Sequence, residues 1–222
     1  LRGTVAGTLR LLGGPDDPAA NWPEREPTVA RDALRALFAA EEWGPGQVFH
    51  TLRAAMPEDT VVTADSGAHR ILLSHVWQCR SPRTMLQSTA LCTMACSVPI
   101  AAGFKLGAPD VPVVAFVGDA GLEMGLGELA TIRDLGLPVI IVVLVDASLA
   151  LIEMKQRGTQ RANLGVDFGA SDFPAVAEAL GGHGIWVEDA EGLTRAAQAA
   201  LTRESFTVIA AKIGRRADDG TF

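Results

Sequence analysis

The run PVIIVVLVD, from Pro138 to Asp146, constrains this chain more than any other stretch. Its apolar residues fall on odd and even positions alike, so as a strand it must be covered on both faces. It is far too short to cross a bilayer, which takes roughly 20 residues of helix. A second such run, VPVVAFVGD, lies upstream, and the two enclose the helical pattern LEMGLGELATIRDLG. That pattern puts Leu122, Leu126, Leu129 and Ile132 on one face of a single predicted helix, with Gly136 able to close it. Strand, helix and strand in this order predict a βαβ unit in a parallel sheet.

The same alternation runs through most of the chain. GQVFHTLRAAM has helical spacing, with Val48, Leu52 and Met56 on one side, and DTVVTAD reads as a short strand. SVPIAAGFKLG, Ser97 to Gly107, predicts a helix that tolerates Pro99 in its first turn. SDFPAVAEALGG predicts another, capped by Ser171 or Asp172 and followed by Gly181. GIWVED, AEGLTRAAQAALTRE and FTVIAAKI then complete a strand, a helix and a strand. The expected fold class is α/β, a parallel central sheet with helices on both faces.

Length and charge narrow the functional classes. A chain of 222 residues holds one full core with a short appendage. A net charge of −7, with no stripe of Lys and Arg, argues against a nucleic-acid partner. No apolar run is long enough for a membrane span. Cys79, Cys92 and Cys96 are too few for a disulfide scaffold and suit a reducing, cytoplasmic setting; Cys92 and Cys96, four apart with no His/Cys pair at zinc spacing, read as buried thiols rather than metal ligands. GGPDDPAANWPEREP, from Gly13 to Pro27, reads as a linker, and the short helical pattern before it as the tail of an upstream domain. The expected layout is an upstream tail over 1–13, a linker with a helix over 14–43, the main domain over 44–213 and a tail over 214–222.

Ligands of open α/β sheets sit at the carboxyl ends of the strands, which directs attention to Asp65–His69, Gly118–Gly121 and Asp146–Ser148. Asp119 and Asp146 each follow a buried strand. If those strands are neighbours, two carboxylates share one sheet edge, where they repel unless one is protonated or a cation joins them. Mg²⁺ suits such a pair, since it takes one or two carboxylates plus phosphate oxygens. The small residues Gly118, Ala120 and Gly121 admit phosphate close to the backbone. The plainer alternative has Asp119 capping its helix and Asp146 capping a turn.

GDAGLEMGLGELATIRDLGLPVIIVVLVDASLALI resembles the thiamine-diphosphate-binding motif, a Gly-Asp-Gly start with an Asn-Asn end roughly thirty residues on; here Asp119 and Asp146 are 27 positions apart. The likeness extends back through TADSGAHRILLSHVWQCR and covers about Gly44 to Ile213. It is similar to the C-terminal, diphosphate-binding domain of the acetolactate synthase, benzoylformate decarboxylase and pyruvate decarboxylase group. The resemblance implies Mg²⁺ held by the carboxylates of Asp119 and Asp146 and the backbone carbonyl of Ser148. It implies a diphosphate faced by Gly118 and by the N–H groups of Ala120 and Gly121, with Gly67, Ala68 and His69 on the other side and Leu149 adjoining. Met94 stands where a bulky residue bends the cofactor, and the Cys92 carbonyl where one accepts from its aminopyrimidine nitrogen.

Three departures stand out: Ala120 for the third glycine, Val145-Asp146 for the Asn pair, and Met94-Ala95 for Met-Gly. The first leaves room for backbone contact, the second adds negative charge at the metal, and the third tightens the pocket slightly. The glutamate that the group carries on a separate pyrimidine-binding domain has no counterpart here. The resemblance therefore implies a fragment of a thiamine-diphosphate-dependent decarboxylase or carboligase acting on a small 2-oxo acid, inactive alone. It also implies a homo-oligomer, with the pyrimidine-binding domain supplied by a partner subunit. Two alternatives remain: the small subunit of a two-subunit decarboxylase, or a non-catalytic α/β binding domain that has lost the cofactor. EMKQRGTQRANLGVDFG, Glu153 to Gly169, is a candidate lid.

Overall fold

The computed structural model describes residues 4–6, 22, 24–39, 42–169 and 171–217. The chain divides into two compact units, Leu1–Leu37 and Phe38–Phe222. In the first, the main described feature is helix α1, Glu26–Ala39, with acidic Glu26 in its first turn where the helix dipole favours it. The readings of 7–21 as helix and linker lie outside the described residues.

The second unit runs α2 (Pro45–Ala55), β1 (Val61–Ala64), α3 (Ala68–Val76), β2 (Met85–Gln87), α4 (Ser97–Gly107), β3 (Val113–Gly118), α5 (Asp119–Met124), α6 (Gly127–Asp134), β4 (Ile140–Val145), α7 (Ala150–Gly158), α8 (Phe173–Ala179), β5 (His183–Val187), α9 (Ala190–Ala200) and β6 (Thr207–Lys212). The strands form one six-stranded sheet in the order β2-β1-β3-β4-β6-β5, with every pair parallel. No helix among the described residues is long and apolar enough to cross a membrane.

Unbroken apolarity in β3 and β4 has the predicted consequence. Val114 and Phe116 of β3, with Ile140, Val142 and Leu144 of β4, enter a core shared with α2, α3 and α9. Their neighbours Val113, Ala115 and Val117, with Ile141, Val143 and Val145, enter a second core with α4, α5, α6 and α8 on the opposite face. Side chains alternate across a strand, so one apolar run supplies both layers. Phe116 is fully buried and meets the rings of Phe49 and Trp77 edge-on, at 5.1 and 5.6 Å between centroids. Edge-to-face pairs of this kind add ~0.5–1.5 kcal/mol to the burial itself.

Caps and stops behave as their chemistry dictates. Asp172, rather than Ser171, caps α8 by accepting from Ala175 N at 3.3 Å, and Asp189 caps α9 by accepting from Gly192 N at 2.6 Å. Gly136 and Gly181 take left-handed φ values of 61° and 84° just beyond α6 and α8.

Four expectations need correction. The single helix expected over 122–136 is two, because Gly125 N turns back to Leu122 O at 3.0 Å. Gly125 also sits where a Cβ would lie 3.2 Å from that of Ala95, so the break is tightly packed. The candidate lid begins inside α7, and its far end is pinned: Leu149 N donates to Val166 O at 2.8 Å, and Arg215 pairs with Asp167. Cys79 and Cys92 are exposed and Cys96 is half-buried. Helix α3 and the three-residue β2 are elements that the pattern given above does not predict, the latter because its half-buried residues carry no clear alternation.

Candidate functional site

Strand β1 ends at Ala64 and β3 at Gly118, and each is followed by a buried aspartate. The β3–β4 register pairs Gly118 with Leu144, so Asp119 and the loop 146–149 leave adjacent strands at the same edge. Asp119 is 3% exposed. Its Oδ1 accepts from Ala120 N at 2.8 Å; its Oδ2 accepts from Asp146 N at 3.2 Å and Ala147 N at 2.7 Å. Burial pushes its carboxyl above the ordinary carboxylate range; the three amides oppose that shift, and the nearby charge of Glu123 adds to it. Asp146 accepts from Ser148 N at 3.1 Å, which folds the loop back over its own carboxylate. Ala147 holds a left-handed φ of 55°, a conformation that costs an alanine ~1–2 kcal/mol and aims its N–H at Asp119.

Asp65 follows β1, on the other side of β3 from this loop, and is 1% exposed. Its Oδ1 lies 2.8 Å from His69 Nε2, and its Oδ2 accepts from Ala95 N at 2.8 Å. Ala95 also takes a left-handed φ, 66°, where a glycine would sit without strain.

Between the two halves lies a cavity of about 140 Å³. Gly67, Ala68 and His69 line it on one side; Gly118, Asp119, Ala120, Gly121, Asp146, Ser148 and Leu149 on the other; and Met94 reaches it from the loop before α4. Of the sequence-derived site residues only Cys92 is outside the lining. The chain turns at Cys92 with φ 49°, and the exposed thiol lies near Arg70 Nη1 at 3.6 Å, away from the wall that Met94 forms. Ala120 lines the cavity, but its N–H is already given to Asp119 Oδ1, so of the expected pair Gly121 is left to face an anion. His69 is the second residue of α3 and is 6% exposed.

The donor set fits a hard cation that shares its coordination with a ligand. Among the described residues no three His, Cys, Asp or Glu side chains gather at one point, so a cation here relies on backbone and ligand oxygens as well. Ser148 Oγ is buried and finds no partner among the described residues, an unsatisfied polar atom at the cavity wall. Gly67 is small by necessity: a Cβ there would stand 2.6 Å from the His69 ring. Ser66, Leu151, Ile152 and Ile213 also line the cavity, and Asp65, from the strand-end stretch singled out above but given no role there, stands behind His69 without lining it. For Asp65 the signal was present, a carboxylate at a strand end like Asp119; the apolar residues offered none.

An open parallel sheet with a small-residue, two-carboxylate cavity at its carboxyl edge defines a class of phosphate- and cation-binding α/β domains. Residues 65–211 match the family model "Thiamine pyrophosphate enzyme, C-terminal TPP binding domain", and the chain belongs to that family, whose enzymes use thiamine diphosphate with Mg²⁺. Acetolactate synthase of Bacillus subtilis (strain 168) is 27% identical over 218 residues, 94% of this chain and 38% of that protein. The large subunit of Escherichia coli (strain K12) acetolactate synthase isozyme 3 is 30% identical over 168 residues, 75% of this chain and 29% of that protein. The chain thus spans less than two-fifths of the length of these relatives. The thiamine diphosphate-dependent 4-hydroxybenzoylformate decarboxylase of Rhodococcus jostii RHA1 shares the fold, with a TM-score of 0.73 and 24% identity over 79% of this chain and 34% of that one.

Proposed function

We propose that this chain is the diphosphate- and magnesium-binding part of a 2-oxo-acid decarboxylase or carboligase of the acetolactate synthase kind, with residues 44–213 as the binding domain. The observation that carries the reading is the cavity where Asp119 and the 146–149 loop meet, faced by Gly67, Gly118 and Gly121. In this reading Asp119, Asp146 and the Ser148 carbonyl hold Mg²⁺, and the metal offsets the charge that burial penalises at Asp119. The Gly121 N–H and His69 meet the diphosphate, and Met94 supports the bent cofactor. Bound there, thiamine diphosphate supplies the carbon acid and the electron sink for decarboxylation.

What the chain's own residues do is bind, orient and exclude water. Asp119 fixes the 146–149 loop through two amide hydrogen bonds, and Leu149 and Ile152 provide an apolar wall. A pyrimidine-binding domain from a partner subunit would complete the active site in a homo-oligomer, and a cytoplasmic setting suits the enzyme.

Calorimetric titration with thiamine diphosphate tests the reading. Binding should require Mg²⁺ and disappear in Asp119→Asn, which keeps the side-chain shape and loses the charge. Binding that ignores the metal, or that survives the substitution, would remove the basis for the assignment.

A further inference from the structure

Asp65 is a buried carboxylate just behind the cavity lining that the proposed metal site does not use, and its two oxygens hold two different segments of the surround. Oδ1 holds His69 Nε2 at 2.8 Å, and Oδ2 holds Ala95 N at 2.8 Å, next in the chain to Met94. It is 1% exposed, and the aspartate N–H itself donates to Phe116 O at 3.4 Å, tying it to β3. An ionised carboxylate only accepts, so the hydrogen bond to His69 places a proton on Nε2. Nδ1 is then the free ring nitrogen. It makes no hydrogen bond to any described residue, and it lies against Gly67 and Gly118, where built Cβ atoms would come 2.6 and 3.6 Å from it. Both glycines line the cavity.

Building on the proposed function above, we propose that Asp65 is a positioning residue: it orients His69 so that Nδ1 would meet the diphosphate, and by the same carboxylate it fixes the loop that carries Met94, a second residue of the cavity lining. A hydrogen bond from Nδ1 to an ionised phosphate oxygen needs a proton on Nδ1, and Asp65 lies directly against the far side of that ring, while Asp119 and Asp146 line the same cavity. The arrangement follows a general pattern, in which a carboxylate behind a histidine sets which nitrogen is presented to the ligand. It also explains Gly121, since any Cβ there would run into Asp65 Oδ2. An asparagine at 65 can still accept from Ala95 N, but toward His69 it presents an N–H donor in place of an acceptor, which reverses the bond to Nε2 and removes the negative charge.

The test uses the ¹⁵N-histidine-labelled chain and binding of Mg²⁺-thiamine diphosphate followed by NMR, which reads weak as well as tight binding. In the unsubstituted protein without ligand, the His69 ring should show its proton on Nε2, and the Nδ1 resonance should move to the protonated range on titration. Asp65→Asn should weaken binding about tenfold, the worth of one charge-assisted hydrogen bond. His69→Gln should do the same, and the double variant should lose little more than either single one, because one acts through the other. A His69 ring protonated on Nδ1 and bare on Nε2 in the free protein overturns the inference even if Asp65→Asn does not fold. So do strictly additive losses, or an Asp65→Asn variant that binds like the parent. Absence of binding by the unsubstituted chain overturns the proposed function, and the ligand assigned to His69 with it.

Discussion

Gly121→Ala sets two opposed effects against each other at one atom. Gly121 is the third residue of α5, and replacing a helical glycine by alanine ordinarily stabilises by up to ~1 kcal/mol. Here the added Cβ would stand 3.0 Å from Val117 Cγ2 and 3.3 Å from Asp65 Cγ, and closer still to Asp65 Oδ2. Neither neighbour is free to yield, since Val117 is fully buried in β3 and Asp65 is held by His69 and Ala95. Overpacking costs ~1–3 kcal/mol, and a displaced hydrogen bond to a charged group ~1.5–3 kcal/mol. The unfavourable effects outweigh the propensity gain, and the expected net loss is about 2–4 kcal/mol. For a chain of this size that lowers Tm by roughly 4–16 °C.

Gly103→Ala is the control. Gly103 lies in α4 with nothing within 4 Å of its built Cβ, so the same substitution should there be neutral or stabilising. Urea denaturation of the two variants beside the parent gives both signs in one experiment. If Gly121→Ala proves as stable as Gly103→Ala, Asp65 is not held against Gly121, and the account of the carboxylate as a fixed wall fails.

Ala147→Gly should raise the urea midpoint slightly. Relief of the left-handed φ, ~1–2 kcal/mol, exceeds the ~0.4–1 kcal/mol of added unfolded-chain entropy, and a lowered midpoint would show that the loop is not strained there. Asp146→Asn can still accept from Ser148 N, so it should keep metal-dependent cofactor binding while raising the Mg²⁺ concentration required on the order of tenfold; unchanged metal affinity in calorimetry would show that the charge of Asp146 adds nothing to metal binding. Glu153, hydrogen-bonded by Arg157 and Arg216, has its carboxyl held below the ordinary range, so its contribution to stability is present above pH 4.5 and is lost as pH falls through the lowered value. Glu153→Gln should therefore destabilise at neutral pH and converge with the parent in acid; a constant difference across that range would count against the ion pairs.

The sheet was legible because buried parallel strands impose a severe composition. VIIVVLV has few alternatives to a doubly covered strand, and its pairing with β3 brought Asp119 and Asp146 together as the spacing required. Helix ends were legible where a side chain or a glycine makes them, as at Asp172, Gly136 and Gly181. The break in the helix after Met124 was marked only by Gly125 and Gly127, and the close approach of Ala95, about thirty positions away in the chain, left no sign in the pattern. The far end of the candidate lid was hidden for the same reason, its anchors being Leu149 and Arg215. Local pattern carries local geometry, and contacts between distant loops leave little trace in either segment.

The departures from the resembling motif acquire a physical meaning in pairs. Asp65 and Asp119 close neighbouring parallel strands, and each draws a backbone N–H from a loop held at a left-handed alanine, Ala95 for the first and Ala147 for the second. A backbone N–H aimed at a fixed carboxylate is what holds an alanine where a glycine would be cheaper, since a charge-assisted hydrogen bond of ~1.5–3 kcal/mol exceeds the ~1–2 kcal/mol of backbone strain. The Met94-Ala95 variant is thereby tolerable on this scaffold, and it adds a methyl group against Gly125. Two buried carboxylates thus organise the surround of the cavity: Asp119 shapes the loop read as the metal site, and Asp65 holds His69 and the loop after Met94, read as the diphosphate and cofactor supports. The strand-end aspartates are the structural origin of the site as well as its proposed chemistry.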